Sequence, residues 1–193
     1  MLKAVDIHKS FGNNTVLNGF SHCFKNGTVT AVLGKSGCGK STLLNILMGL
    51  IKPDSGEVLC PENCRLSAVF QEDRLCENLT ASANIRLVTG KRFSKGEIAA
   101  ELEKVGLVGC ENKPVRTLSG GMKRRAALLR ALLAEYDVLF LDEPFKGLDI
   151  DTKKSVMEYC REKISGKTVV LVTHDETECE FFADEIIRLG NSI

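Results

Sequence analysis

Gly34-Lys35-Ser36-Gly37-Cys38-Gly39-Lys40-Ser41 stands between an apolar run at 28–33 and a helix-forming stretch that ends near Gly49. A Gly-x4-Gly-Lys-Ser segment set between a strand and a helix is the arrangement that wraps phosphate. The glycines let backbone amides turn inward and approach a phosphate closely. The helix starting near Lys40 adds the positive end of its dipole. Lys40 reaches the β- and γ-phosphates as a point charge. Ser41 offers a hydroxyl to Mg²⁺, and Thr42 can donate to a neighbouring phosphate. Gly34, Ser36, Gly37, Cys38, Gly39, Lys40, Ser41 and Thr42 are therefore assigned to the nucleotide. On its own this loop says only that a nucleoside triphosphate binds.

Working outward, three zones follow one another. Residues 1–71 read as strand-rich, with short apolar stretches at 2–8, 15–17 and 20–24 separated by turn signals at Gly12-Asn13-Asn14 and Lys25-Asn26-Gly27. Pro53-Asp54-Ser55-Gly56 is read as turning the chain into a further strand pair, of which 66–70 delivers Gln71. Residues 72–116 look helical, with helices expected at 80–87 and 94–105, the latter opened by Ser94 and Glu97 at capping-box spacing. From Leu118 onward helix and strand alternate. Met122, Ala126, Leu129 and Leu133 share one helical face, and strands are expected at 138–141, 168–173 and 185–189. The alternation predicts an α/β fold: a phosphate-loop NTPase core with a parallel sheet, an N-terminal antiparallel β region and a small helical subdomain. Residues 1–193 are taken as a single domain, with 72–116 inserted into a core of RecA type.

Composition narrows the classes. A chain of 193 residues with 44% hydrophobic residues fills one core, and a net charge of +1 speaks against a nucleic-acid surface. No stretch reaches the roughly 18 apolar residues that a membrane helix needs. The first residues lack the apolar core of a signal peptide, and the chain stops soon after its last strand. The expectation is a cytoplasmic protein without a C-terminal regulatory domain, touching a membrane only through a partner. The eight cysteines read as small buried hydrophobes of a reducing compartment. Cys60 and Cys64 lack a matching second pair, so a zinc site is not expected. Cys38 lies among amide donors that favour a thiolate, which would make it sensitive to oxidation.

Two further stretches carry chemistry. Val138-Leu139-Phe140-Leu141 followed by Asp142-Glu143-Pro144 is an apolar strand with acids at its C-terminal end, where ligands bind in parallel sheets. Asp142 is placed to hold Mg²⁺ through its water shell. Glu143 is placed to polarise the water that attacks the γ-phosphate, and its main contribution is alignment, because an ordinary carboxylate is a weak base at neutral pH. Leu118-Ser119-Gly120-Gly121-Met122 opens a helix and exposes amides and a hydroxyl to an anion. It cannot wrap the phosphates already held by Lys40. Lys123-Arg124-Arg125 is read as a solvated helix face, with a phosphate-steering field as the other reading.

The order of phosphate loop, Gln71, Leu-Ser-Gly-Gly, Asp142-Glu143, Gly147-Leu148-Asp149 and His174 resembles the ATP-binding cassette (ABC) ATPases, the motor subunits of ABC transporters, over essentially the whole chain. The resemblance implies several roles. Ser119, Gly120 and Gly121 cap the γ-phosphate held by a second copy of the chain. Gln71 touches Mg²⁺ or the attacking water and flexes as the helical zone rotates. Asp149 crosses the dimer interface. His174 contacts the γ-phosphate and links it to the base, whereas His8 and His22 are structural. Phe11 stacks on adenine, a core phenylalanine being its rival reading. ATP and Mg²⁺ are the implied cofactors. The partners are a second copy, a transmembrane permease and an extracytoplasmic solute-binding protein, with no nucleic acid.

Gln71-Glu72-Asp73-Arg74-Leu75, Met122 and Asp142-Glu143-Pro144-Phe145 resemble the importer branch for nitrate, sulfonate and taurine. Three departures stand out. Met122 replaces a common glutamine, residues 76–80 lack a Pro-Trp pair, and Lys146 replaces a small residue. The competing functions are a non-transport ABC ATPase of repair, translation or assembly, and a nucleotide kinase or small GTPase. The last leaves Ser119-Gly120-Gly121 unexplained.

Overall fold

The N-terminal strands are longer and more bent than their apolar pattern suggests. In the computed structural model, which describes residues 1–190, β1 (Leu2–Phe11) and β2 (Asn14–Phe24) form one antiparallel hairpin. The two apolar stretches expected at 15–17 and 20–24 are one continuous strand. Their separation in the pattern reflects bulges, because the pairing register shifts between Ala4 and Ile7 and again between Ile7 and Lys9. At the first shift Asp6 takes φ 50°. This extra residue flips the two-residue alternation, so that Leu2, Ala4 and Ile7 all face inward. β4 (Ser55–Leu59) lies on the other side of β1, and a β-carbon at Gly56 would sit 2.1 Å from the Asp6 carbonyl oxygen. Only glycine fits where β4 crosses that bulge.

The expected strand pair after Pro53 is not formed. β4 joins the sheet of order β2-β1-β4, whereas β5 (Leu66–Val69) belongs to the second sheet, of order β5-β6-β7-β3-β8. A local turn signal fixes that the chain reverses, but not which sheet receives the next strand. β3 (Val29–Leu33), β6 (Val138–Asp142) and β7 (Thr168–Thr173) are buried along their whole length, as parallel strands covered on both faces must be. Leu139 and Phe140 are fully buried, each contributing about 1.5–3 kcal/mol by its removal from water. β3 pairs in parallel with β7 and with β8 (Glu185–Arg188), and β6 with β7. α1 (Lys40–Leu47) packs on β6 and β7, and α6 (Glu176–Phe182) on β3 and β7.

The described chain divides into two compact units. One comprises residues 1–66, 137–142 and the chain from Gly166 on; the other comprises 67–136 and 143–165. The second holds α2 (Ala81–Thr89), α3 (Lys95–Lys104), α4 (Gly120–Leu133) and α5 (Ile150–Lys163). The capping box of α3 is formed: Glu97 N donates to Ser94 Oγ at 3.2 Å, and Ser94 N donates to Glu97 Oε2 at 2.7 Å. Thr80 caps α2 through Ala83 N, and α2 runs two residues further than its apolar pattern indicates. No described helix is long and apolar enough to cross a membrane.

α3 and α5 share one buried carboxylate. Glu101 accepts hydrogen bonds from the Tyr159 hydroxyl, from Lys104 Nζ at 2.9 Å and from Lys163 Nζ at 3.1 Å. Burial alone would raise this carboxyl, but these bonds outweigh it and hold the group below the usual carboxylate range. Burial and the Glu101 carboxylate together push the Tyr159 hydroxyl far above its ordinary value. Tyr159→Phe should therefore lower unfolding stability at neutral pH by about 1.5–3 kcal/mol, the range for a hydrogen bond to a charged group. Because the folded pKa of Glu101 is depressed, its contribution is full above the unfolded value and is lost as pH falls through the folded one. Urea unfolding of both chains should show the difference shrinking below about pH 4. An undiminished difference at pH 3 would contradict this assignment.

Candidate active site

The pairing registers decide which ends of the strands meet. Leu33 stands opposite Thr173, and Asp142 opposite Val172. The loop after β3, the carboxylate ending β6 and His174 after β7 therefore emerge on one edge of the sheet, all within the first unit. That edge is the C-terminal one, where parallel sheets bind their ligands.

The phosphate loop is shaped by its glycines and its lysine. Gly37 and Gly39 take φ 82° and 100°, values that L side chains rarely adopt. A β-carbon on Gly34 would lie 2.6 Å from Cys38 Sγ, so the loop closes tightly on itself. Lys40 is only 5% exposed, and its ammonium donates to the carbonyls of Gly34 at 2.7 Å and Lys35 at 2.9 Å. Both acceptors are neutral, so they orient the charge without cancelling it. A buried cation ringed by a loop of amides at a helix start is a receptor for a polyphosphate.

Ser41 lies in the first turn of α1 and Asp142, 7% exposed, ends β6. A hydroxyl and a carboxylate form an all-oxygen donor set, which suits Mg²⁺. Among the described residues there is no group of three or more His, Cys, Asp or Glu that could hold a metal. A cation here would thus take its remaining ligands from phosphate and water, as Mg²⁺ commonly does. All eight cysteines are free, and Cys23, Cys38, Cys60, Cys64 and Cys76 are not buried, against the expectation of buried hydrophobes.

His174 is exposed and its backbone is pinned on both sides. Thr173 Oγ1 donates to Glu178 Oε2 at 2.6 Å and accepts from Asp175 N at 3.1 Å, while Asp175 caps α6 through Thr177 N. Phe11 ends β1 with 51% of its surface exposed and is not a core residue; Lys9 Nζ lies 5.4 Å from its ring centroid. A cavity of about 610 Å³ is lined by Thr15 and Val16 of β2, Gly37 and Cys38 of the loop, Arg188 at the end of β8 and Gly190 after it. Apart from the loop residues, the sequence reading named none of these. Only the pairing of distant strands brings them to one wall.

The remaining candidates lie in the second unit. Gln71 is exposed two residues after the end of β5. Ser119 is the N-cap of α4 and accepts from Met122 N at 3.3 Å, which leaves its own hydroxyl proton to donate. A β-carbon on Gly120 would meet nothing within 4 Å, so the helix start is open on that side; Gly121 lies beside the Gly147 carbonyl and Leu148. Asp149 caps α5 by accepting from Thr152 N at 3.0 Å, and this bond holds its carboxyl below the usual range. Glu143 has φ 46°, and its Oε2 lies 3.4 Å from Lys146 Nζ.

The run Lys123-Arg124-Arg125 is not a solvated face. Lys123 pairs with Glu77 at 3.0 Å. Arg125 donates to the carbonyls of Val105 at 2.8 Å and Gly106 at 2.9 Å. Arg124 is 4% exposed and binds the backbone of Phe70, Glu143 and Pro144. The signal for this burial was present: Ala127, Leu128 and Ala131, at i+3, i+4 and i+7 from Arg124, are all buried.

Comparison with known proteins agrees with this geometry. A family model described as ABC transporter matches residues 17–146. The aliphatic sulfonates import ATP-binding protein of Shouchella clausii is 42% identical over 189 residues, covering 96% of this chain and 75% of that protein. The spermidine/putrescine import ATP-binding protein of Mycoplasma capricolum is 35% identical over 206 residues, covering 98% of this chain and 59% of that protein. An ATP-binding cassette solved as a dimer in a post-hydrolysis state with ADP and Pi superposes with a TM-score of 0.85 at 30% identity, over 98% of this chain and 94% of that one. With a phosphate loop, a buried Asp142 and His174 on one sheet edge, a serine-capped Leu-Ser-Gly-Gly helix start, and relatives of this closeness along nearly its full length, the chain belongs to the ABC transporter family as one of its ATP-binding cassette ATPases.

Proposed function

We propose that this chain hydrolyses ATP as the motor subunit of an importer of a small solute. The observation that carries the reading is the shared edge of the first unit, which presents the loop of Lys40, the Asp142 carboxylate and His174 together. Lys40 and the loop amides bind the β- and γ-phosphates, and Phe11 stacks on the base. Ser41, Asp142 and Gln71 hold Mg²⁺, which when bound neutralises charge developing on the phosphate oxygens. Glu143 orients a water and accepts its proton as the oxygen attacks the γ-phosphorus. The bond from that phosphorus to the β-phosphate oxygen breaks, and ADP leaves. His174 holds the γ-phosphate in line with the water.

Ser119, Gly120 and Gly121 act on the nucleotide of a second copy, and Asp149 reaches across the same interface. The relative solved as a dimer supports this arrangement. ATP that binds the closed pair better than the open one shifts the population toward closure, and loss of the γ-phosphate releases it. Residues 72–116 transmit the motion to a transmembrane permease, which holds the chain at the inner face of the membrane. An extracytoplasmic solute-binding protein feeds the same system.

Both named relatives are import subunits, which favours transport over a repair or translation role. One is named for sulfonates and the other for polyamines, solutes of opposite charge. Solute choice therefore belongs to the other subunits, and a sulfonate-type solute is favoured here by the higher identity. Affinity capture of the tagged chain from detergent-solubilised membranes should bring down a multi-span protein. Capture of a soluble repair or ribosomal complex instead would reverse the reading.

A further inference from the structure

Arg124 directs its guanidinium at two loops at once. It donates to the Phe70 carbonyl, to the Gln71 carbonyl at 3.5 Å and to Asp73 Oδ1 at 3.3 Å on one side. On the other side it donates to Glu143 O at 2.6 Å and to Pro144 O at 3.1 Å. All these residues lie in the second unit. One loop begins with Gln71, and the other with the general base of the reading above. Glu143 is moreover in the left-handed backbone region, at φ 46°, which a residue with a β-carbon keeps only where its surroundings hold it. The bond to its own carbonyl is such a hold.

The loop on the Gln71 side is fastened further along as well. Arg130 donates to the Arg74 carbonyl at 2.9 Å, and the Asn84 side chain both accepts from Cys76 N at 2.8 Å and donates to Cys76 O at 3.0 Å. Arg124 is the member of this set that also grips the base. Its planar fork of five donors can serve several carbonyls in fixed directions, which a lysine ammonium cannot.

We infer that Arg124 is a positioning residue for hydrolysis, fixing the backbone of Glu143 against that of Gln71. The inference rests on the ATPase reading and adds a part to it: the water-aligning groups are set by α4, the helix that begins at Ser119. Arg124 acts through the two loops it holds and not through the phosphate loop of 34–41, so its removal misplaces the base and leaves nucleotide binding in place.

The test uses the purified full chain with Mg·ATP, comparing wild type with Arg124→Lys and Arg124→Met. Both variants should lose at least about tenfold in kcat, with lysine failing to rescue, while KM and the affinity for a fluorescent ATP analogue stay within about threefold. Asp73→Asn, which leaves the guanidinium in place but removes its carboxylate partner, should lower kcat about threefold with KM unchanged. It decides the matter if the Arg124 variants do not fold. The inference is overturned if Arg124→Lys keeps kcat within about twofold of wild type, or if kcat and nucleotide affinity fall together in step with the melting temperature. An unaltered kcat in Asp73→Asn, where the Arg124 variants do not fold, also overturns it. A wild-type chain that does not hydrolyse ATP would instead defeat the functional reading beneath it.

Discussion

Glu143→Gln should lower kcat for ATP hydrolysis by about 10²–10⁴-fold, the range for loss of a positioned general base, while leaving ATP affinity within about threefold. The amide is isosteric, so the backbone at φ 46° and its bond to Arg124 persist. Only the capacity to take a proton from water is lost. Lys40 and the loop amides, the groups proposed to bind phosphate, belong to the other unit and are not substituted. With hydrolysis blocked, the γ-phosphate proposed to join two copies is not removed. The variant should accordingly elute as a dimer with Mg·ATP and as a monomer with ADP. Retained turnover would remove Glu143 from the mechanism, and elution as a monomer with Mg·ATP would weaken the shared-site model.

Lys40→Ala should have the complementary effect and lose nucleotide binding. Two charge-assisted hydrogen bonds to phosphate, at about 1.5–3 kcal/mol each, correspond to about 10²–10⁴-fold in dissociation constant. The substitution also removes the bonds to Gly34 O and Lys35 O that hold the loop in shape. Calorimetric titration with ATP measures the loss, and the melting temperature without ligand reports any effect on the fold. An affinity within tenfold of wild type would show that the loop of 34–41 is not the principal phosphate site.

Where an element is set by contiguous residues, the sequence alone was enough to place it. The loop of 34–41, the buried strand ending at Asp142, the capping box of α3 and the helix start at Ser119 each depend on local spacing, and local spacing is visible in one dimension. Features created by distant pairing were not. The bulges at Asp6 and near Gly19 broke the alternation by which β2 would have been seen as one strand. The destination of β4 depends on Gly56 passing the Asp6 carbonyl, a contact between residues fifty positions apart. Arg124 was hidden for a related reason. A charged residue beside two others reads as solvated until its acceptors are known, and these come from segments some twenty and fifty residues away. The wall formed by Thr15, Val16, Arg188 and Gly190 likewise needs both ends of the chain.

The central claim is that each nucleotide is completed by two chains, and mixing two dead variants tests it most directly. Lys40→Ala removes the owner's grip and Ser119→Arg blocks the cap offered to a partner. Each alone should be inactive. In a mixed dimer one site is doubly defective, but the other joins an intact Lys40 to an intact Ser119. Equal mixing should therefore restore about a quarter of wild-type ATPase activity, from half the dimers each carrying one working site. If the mixture stays as inactive as its components, while the two chains demonstrably associate with Mg·ATP, Ser119 serves its own chain or none, and the account is contradicted.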